Sequence, residues 1–510
     1  MKFSFTIIVL LVSFVFITDL YGQSKSDNVF QETSLSTAYK TVLERTFSKI
    51  KIIRINHNSL YQKARIQKVN IPIQINTGTD VWKIMISENE LRSTDYKQVL
   101  VTTSGDVEIP REECGTYAGF LTDQPESIVR MNIRANSFSA LIRYNGEEYY
   151  LESIQRFIPG ADLNDIIMYT NKDVKPTGAT CGGGKLIHDV ENKKTQLLPS
   201  IQNKLQQMDL GKPTKKAIKE VQGNNIFQSM LSTQAIDCRK LEIATEADYE
   251  NYSSGGGLSL TNAEILANLN MVESYFTQWG IKFSVRFQSQ WANINDPFVS
   301  EDVCINSTDR LDEFMNYWNA NRTVVARDVA ILYSGIDFNG SSIGCAKKGS
   351  FKSDSATRYM IIQSNVYLPF ATNWAITDLG RITTHELGHI FGCNHDDISA
   401  YNLMSSSLIN LIPAGWTTPS IDSIDASIAT TNGKNRLSTR YITMPLAANG
   451  TFNGGEVYVS TTVTGALGTF SIEGVDFCDM KEGCTLSHSS SIFINGGITV
   501  KTAACNNTGQ

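Results

Sequence analysis

At 510 residues the chain is long enough for about three domains with full cores. A formal net charge of -6, a sequence pI near 5.7 and the lack of any sustained basic run argue against a nucleic-acid partner. The one lysine cluster, KPTKKAIKE from Lys212 to Glu220, is broken by Pro213 and reads as an exposed linker.

Residues 1–22 read as a secretory signal peptide, with Lys2 as the positive start and Leu20-Tyr21-Gly22 as the cleavage site. The apolar core, Phe5 to Ile17, has 13 residues and is closed by Asp19. That falls short of the roughly 20 needed to cross a bilayer as a helix. No later stretch is long and apolar enough to span, so the expectation is a secreted, extracellular protein. Nine cysteines suit an exported chain that forms disulfides, and the odd count leaves one thiol free or paired between chains.

Up to about Asn58 the pattern is helical. From Ala64 to Phe157 it alternates at period two, as in IQKVNIPIQIN, VWKIMIS and SIVRMNIRANSFSALIRYNGEEYYLES, which predicts strands of a half-buried sheet. Asn145-Gly146 is a two-residue hairpin turn. Cys181 follows in GATCGGGK, where Gly178, Gly182, Gly183 and Gly184 let extended backbone approach another surface closely. A disulfide with Cys114 is the other reading of this thiol. The polar, lysine- and glutamine-rich stretch to about Gln234 reads as helix and linker, a place where proteases cut.

Strand and helix patterns then alternate. Lys240–Thr245 is a first strand. Thr261 with Glu264 forms a capping box for a helix whose Ile265, Leu266, Leu269, Val272, Phe276 and Trp279 share one face, stopped by Gly280. A strand at Ile281–Phe287 and a helix at Thr308–Asn319 follow, the latter with Leu311, Phe314 and Trp318 inward. Asp328–Tyr333 is continuously apolar and so central in its sheet, and Arg358–Gln363 is a further strand.

The most informative stretch is HELGHIFGCNHD, His385 to Asp396, which holds three of the six histidines within eleven residues. In a helix His385 and His389 stand on one face, and Glu386 can reach beneath the same ion. Gly392 ends the helix in a left-handed turn that brings His395 round as a third nitrogen. Three histidines leave one tetrahedral position of Zn²⁺ open for water, as catalysis requires. Met404 follows nine residues after His395, as core filler or as a turn beneath the metal.

On these residues the chain resembles the metzincin metalloproteinases. Asp396, and the lack of a tyrosine soon after Met404 in YNLMSSS, point to their adamalysin/reprolysin (M12B-like) branch. The resemblance implies an α/β fold: a metzincin catalytic domain at 236–436, with a twisted mixed sheet, helices and a zinc helix in a cleft. A β-rich prodomain at 23–235 precedes it, its Tyr117–Glu152 run similar to adamalysin propeptides. It further implies His385, His389 and His395 on one zinc ion, Met404 as the Met-turn and Glu386 as the base that activates water. Cys181 is the candidate zymogen switch, and Ser342–Ala346 the edge that holds substrate backbone by strand addition. Trp416–Thr431 looks like the last catalytic helix, capped by Ser420 or Asp422. Cys345 and Cys393, both near the cleft, are expected to bridge. Asp396 is either a carboxylate behind the metal ligands or a loop hydrogen-bond partner.

Residues 437–510 alternate at period two with glycine turns and read as a small β domain, in which two of Cys478, Cys484 and Cys505 bridge. The expected activity is zinc-dependent cleavage of protein or peptide substrates. A calcium ion and the oligomeric state are left open. The rival reading, an exported adhesion or binding protein with a vestigial zinc site, is opposed by the intact Glu386.

Overall fold

The computed structural model describes residues 29–32, 37–176, 180–181, 239–304, 308–364, 375–396, 402–406 and 415–439, with 256 and 354 excepted, and the backbone of strand segments between 441 and 495. The signal segment, the lysine-rich linker, Cys238, Cys478, Cys484 and Cys505 lie outside the described residues.

The alternating first part closes on itself rather than forming an open sheet. Its strands are β1 (Val29–Glu32), β2 (Lys51–Arg54), β3 (Ile71–Asn76), β4 (Val81–Glu88), β7 (Thr116–Leu121), β8 (Gln124–Arg134), β9 (Ser137–Tyr144), β10 (Glu147–Ser153) and β11 (Asp165–Thr170). They form a closed barrel in the order β1-β2-β11-β10-β9-β8-β7-β4-β3, with β1 parallel to β3. Closure leaves no free edge, and alternate residues such as Ile73, Ile84, Val129, Met131, Ile142, Leu151 and Ile166 fill the interior. Asn145 and Gly146 sit at φ 51° and 74°, the conformation a type I′ turn demands, and join Tyr144 to its register partner Glu147.

Between β4 and β7 the chain makes a hairpin, β5 (Arg92–Thr102) and β6 (Gly105–Ile109), that leaves the barrel altogether. It joins the second sheet, built from β12 (Arg239–Ala247), β13 (Ile281–Trp291), β14 (Val329–Ser334), β15 (Gly344–Ala346) and β16 (Tyr359–Gln363). The order is β15-β16-β14-β12-β13-β5-β6, and β17 (Ser438–Thr439) pairs antiparallel with β12. Strands β16, β14, β12, β13 and β5 run parallel, whereas β15 is an antiparallel edge. As the unbroken apolar run predicts, β14 is internal and buried at every residue.

One face of this sheet packs on the long helix Leu258–Glu273 and on the helix Ile376–Phe391, hereafter the site helix, through Ile243, Val285, Ile331, Leu269, Ile382 and Ile390. The other face packs on the helix Arg310–Asn321 through Ala244, Leu332, Ile361, Phe314 and Trp318. That division corrects the expected Cys345–Cys393 bridge. Cys345 belongs to the second face and is bonded to Cys304, with their Cα atoms 5.9 Å apart. Cys393 lies on the first face and its thiol donates to Ser420 O at 3.5 Å. Cys114 and Cys181 are not disulfide-bonded, so the alternative bridge between them is not formed.

Three boundaries also shift. The long helix starts at Leu258 after Gly257, so Thr261 lies in its first turn and is not the cap. It ends at Glu273, and a separate turn, Thr277–Trp279, carries Trp279 inward before Gly280 closes it at φ 62°. The helix Thr418–Ala429 is capped by Thr417, whose hydroxyl accepts from Ser420 N, in place of Ser420 or Asp422. Beyond β17, Gly450–Val459 pairs parallel with Phe470–Phe477, which pairs with Ile492–Asn495. No helix among the described residues is long and apolar enough to cross a membrane.

Candidate active site

Every residue of the site helix is buried, because it lies between the sheet, the long helix, the helix Thr418–Ala429 and the barrel. Gly392 terminates it at φ 102°, where a side chain would be strained, and its N–H bonds back to Gly388 O and His389 O. The reversal brings His395 beside the two helical imidazoles. Ring centroids lie 4.7 Å apart for His385 and His389, 5.2 Å for His385 and His395, and 4.8 Å for His389 and His395. His385 Nδ1 donates to Leu403 O at 2.7 Å and His389 Nδ1 to Cys393 O at 2.8 Å. A carbonyl only accepts, so both rings carry their proton on Nδ1 and turn a bare Nε2 inward.

The electrostatics favour neutral donors. Burial, then the neighbouring rings, hold His385 well below the usual histidine range; burial and His395 take His389 down to about 3; burial and Lys348 lower His395. Such imidazoles bind a cation without first losing a proton. His389 Nε2 and His395 Nε2 stand 3.1 Å apart, and His385 Nε2 is buried with no hydrogen-bond partner among the described residues. An orphaned nitrogen of this kind fits a metal ligand whose partner is an ion.

Glu386 follows the first histidine into the same space. Neither carboxylate oxygen bonds a protein nitrogen or oxygen among the described residues, and burial pushes the carboxyl up to about 8 against a smaller pull from Cys181. Room for it comes from Gly344 on the edge strand: a Cβ there would stand 2.8 Å from Glu386 Oε1. Met404 lies under the site, fully buried, with Gly388 and Trp416 against it; a Cβ on Gly388 would meet Met404 Sδ at 2.6 Å. Asp396 points away from the rings. Its Oδ1 accepts from Thr417 Oγ1 at 2.7 Å and its N–H bonds Met404 O at 2.8 Å, so it ties the His395 loop to the cap of the next helix.

The fourth donor comes from far upstream. Thr180 N donates to Ser341 O at 2.7 Å and Ile343 N donates to Thr180 O at 2.9 Å, a parallel bridge to the edge at Ser342. Cys181 N then bonds Ser406 O at 3.1 Å, which pins the residue between the edge strand and the Met404 turn. Its sulfur lies 3.5 Å from His389 Nε2, and Cys181, His385, His389 and His395 each offer a ligand atom within 4.8 Å of one another. Three imidazoles and a thiol are a donor set suited to Zn²⁺.

Residues 237–430 match the family model described as Metallo-peptidase family M12. That segment is thus similar to the M12 metallopeptidases. The crystal structure of metalloproteinase-II from Bacteroides fragilis is also similar, at 11% identity and a TM-score of 0.38, over 76% of this chain and 94% of that one.

The structure thus gathers His385, His389, His395, Glu386 and Met404 of the matched segment, and Cys181 from upstream of it, at one place. Sequence reasoning missed the backbone acceptors Leu403 and Cys393, because a carbonyl carries no residue-type signal. It also missed Gly344 and Gly388. For Gly388 its place between the two helical histidines was the available clue; Gly344, on a distant strand, carried none, and each sits where a side chain would strike the site.

Proposed function

We propose that the chain is a secreted zinc endopeptidase made as a zymogen. The observation that carries this is the convergence of His385, His389 and His395 with a buried Glu386 alongside. His385, His389 and His395 would hold the ion. When bound, zinc polarises a carbonyl and brings the pKa of water toward about 7. Glu386 is the base: it takes a proton from the attacking water and hands it to the departing amine. The edge at Ser342–Ala346 holds the substrate backbone by strand addition, which aligns the scissile bond with that carboxylate.

Cys181 is the proposed switch. Thr180 already takes the edge-strand hydrogen bonds, and Cys181 places its thiol among the imidazoles, so one short segment covers both the backbone site and the open ligand position. Residues 23–235 are then the prodomain, 236–436 the catalytic domain and 437–510 an appended β domain. Export rests on the residue pattern of 1–22. The test is a peptide-cleavage assay on the matured protein, with metal content measured in parallel. Glu386→Ala should retain zinc and lose more than ~99% of turnover; a chelator should abolish cleavage in the unmutated protein. Cleavage that survives both treatments rejects the mechanism.

A further inference from the structure

The rim of the cleft beyond the edge strand carries a charge that the peptide-cleaving machinery does not use. Strand β15 ends at Ala346, and Lys347 N still donates to Tyr359 O at 3.1 Å. Successive side chains along such a strand point to opposite faces. Lys347 turns to the far face, where its ammonium meets Asp312 of the helix Arg310–Asn321 at 2.5 Å. Lys348 turns the other way, to the end of the site helix, and its Nζ donates to Asn394 Oδ1. The backbone fixes this placement: Gly349, at φ 66°, donates its N–H to His389 O at 2.7 Å. Lys348 is therefore held between the edge strand and the residue that precedes His395. Two observations set it apart from an ordinary surface lysine. It is exposed, and among the described residues its partner is a neutral amide, with no carboxylate paired to it. Asp396, the acid next to His395, faces Thr417 instead. The charge also reaches the site: after burial, Lys348 is what lowers His395, and it adds to the larger effects of burial and His395 on His389. A cation beside ligands suited to a divalent ion opposes that ion until an anion joins them.

We propose that Lys348 is a specificity-determining residue, which selects substrates carrying an acidic side chain close to the bond that is cut. The proposal rests on the peptidase reading and names its substrate class. Gly344 lies against Glu386 and so marks the level of the reacting bond. Strands rise about 3.3 Å per residue, so a peptide laid along β15 comes level with the Lys348 rim roughly two to three residues from that bond. There Asp or Glu pairs with the ammonium, Asn or Gln leaves it with Asn394 alone, and Lys is repelled. Thr180 and Cys181, which occupy the cleft in the uncut chain, bring no acid to the rim, so the charge is left for the substrate.

The experiment uses the matured protein and peptides that differ at one residue, Asp, Asn or Lys, placed in turn at each of about three positions on either side of the cleaved bond. For each peptide kcat/KM is measured, and the bond cut is confirmed by mass spectrometry. At one position or more, Asp should be preferred over Asn by about fivefold, the reach of an exposed ion pair, and the preference should shrink in high salt. Lys348→Met should bring that ratio within about twofold, and Lys348→Glu should turn it towards Lys. A lysine that serves only the end of the helix would slow every peptide alike and leave the ratio standing, which overturns the proposal; so do equal rates for Asp and Asn at every position. Binding of the same peptides to the Glu386→Ala protein, read by fluorescence anisotropy, separates this proposal from the peptidase reading. If the unmutated protein cleaves nothing, yet Asp binds more tightly than Asn and Lys348→Met removes the difference, the acid site stands and the peptidase reading falls. Cleavage without any such difference removes the acid site alone.

Discussion

Gly388, the third residue after His385, makes the packing under the site measurable. A methyl group at this position would lie 2.6 Å from Met404 Sδ and 3.0 Å from the Trp416 ring, so Gly388→Ala must displace one or both. Alanine gains up to about 1 kcal/mol of helix propensity over glycine. Overpacking a buried contact costs about 1–3 kcal/mol. The net expectation is a loss of roughly 1 kcal/mol. Shifting Met404 also moves Leu403, whose carbonyl orients His385, so zinc should bind more weakly, by about tenfold for a lost orienting contact. A double-mutant cycle isolates the cause. Met404→Ala removes the sulfur that Gly388→Ala strikes, so the pair should be less destabilised than the sum of the single changes by about 1 kcal/mol or more. Urea unfolding and a competitive zinc-chelator titration on all four proteins give both numbers. Strict additivity in both assays would refute the idea that Gly388 exists to seat Met404.

Three further outcomes are expected. Cys181→Ala should raise peptide cleavage by the unprocessed chain at least tenfold if the thiol alone silences the site, and an unchanged latent enzyme would point to Thr180 strand pairing instead. Gly344→Ala should push the Glu386 carboxylate aside, lowering kcat on a model peptide by ten- to a hundredfold with zinc content unchanged; equal kcat would show the edge strand has slack. Glu152, fully buried beside Arg156 and Tyr169, is raised to about 7 chiefly by burial, so the folded state holds its proton more tightly than the unfolded chain does. Its contribution is full below about 4.5, is lost as pH rises toward 7, and amounts to roughly 3 kcal/mol at most. Glu152→Gln should flatten that part of the stability–pH curve of the uncut chain, and identical slopes for the two proteins would exclude it.

What could be read from the residues divides by range. The site helix was legible because its information is local: four-residue spacing fixes a face and a glycine fixes the end. The same holds for Asn145-Gly146, where two positive φ angles need only their own residues. Strand existence was legible, but partners were not. Period-two alternation in DYKQVLVT says that one face is buried without saying against what, and β5 pairs with a strand about 190 residues away, Gln98 opposite Gln288. The cysteine pairing failed for a related reason. Closeness to the cleft placed Cys345 and Cys393 together, whereas the sheet separates them onto opposite faces.

The long helix carries the least local part of the reading. Its apolar stripe was visible, and its asparagines and acids were free to be taken as the solvated side. In the fold that side is covered: Asn262, Asn268, Asn270 and Glu273 are all buried. Asn268 Nδ2 bonds Tyr333 OH and Thr383 within the catalytic domain, whereas Asn262 reaches Gln98 of the hairpin, and Asn270 and Glu273 reach the barrel. A permanent interface would be expected to fill such a surface with apolar side chains. Paired amides and carboxylates hold two bodies in register while joined, and water can replace each partner when they part. The polar character of this face therefore suits a contact that is specific but made to be given up, as the prodomain proposed for residues 23–235 would require and an ordinary domain core does not.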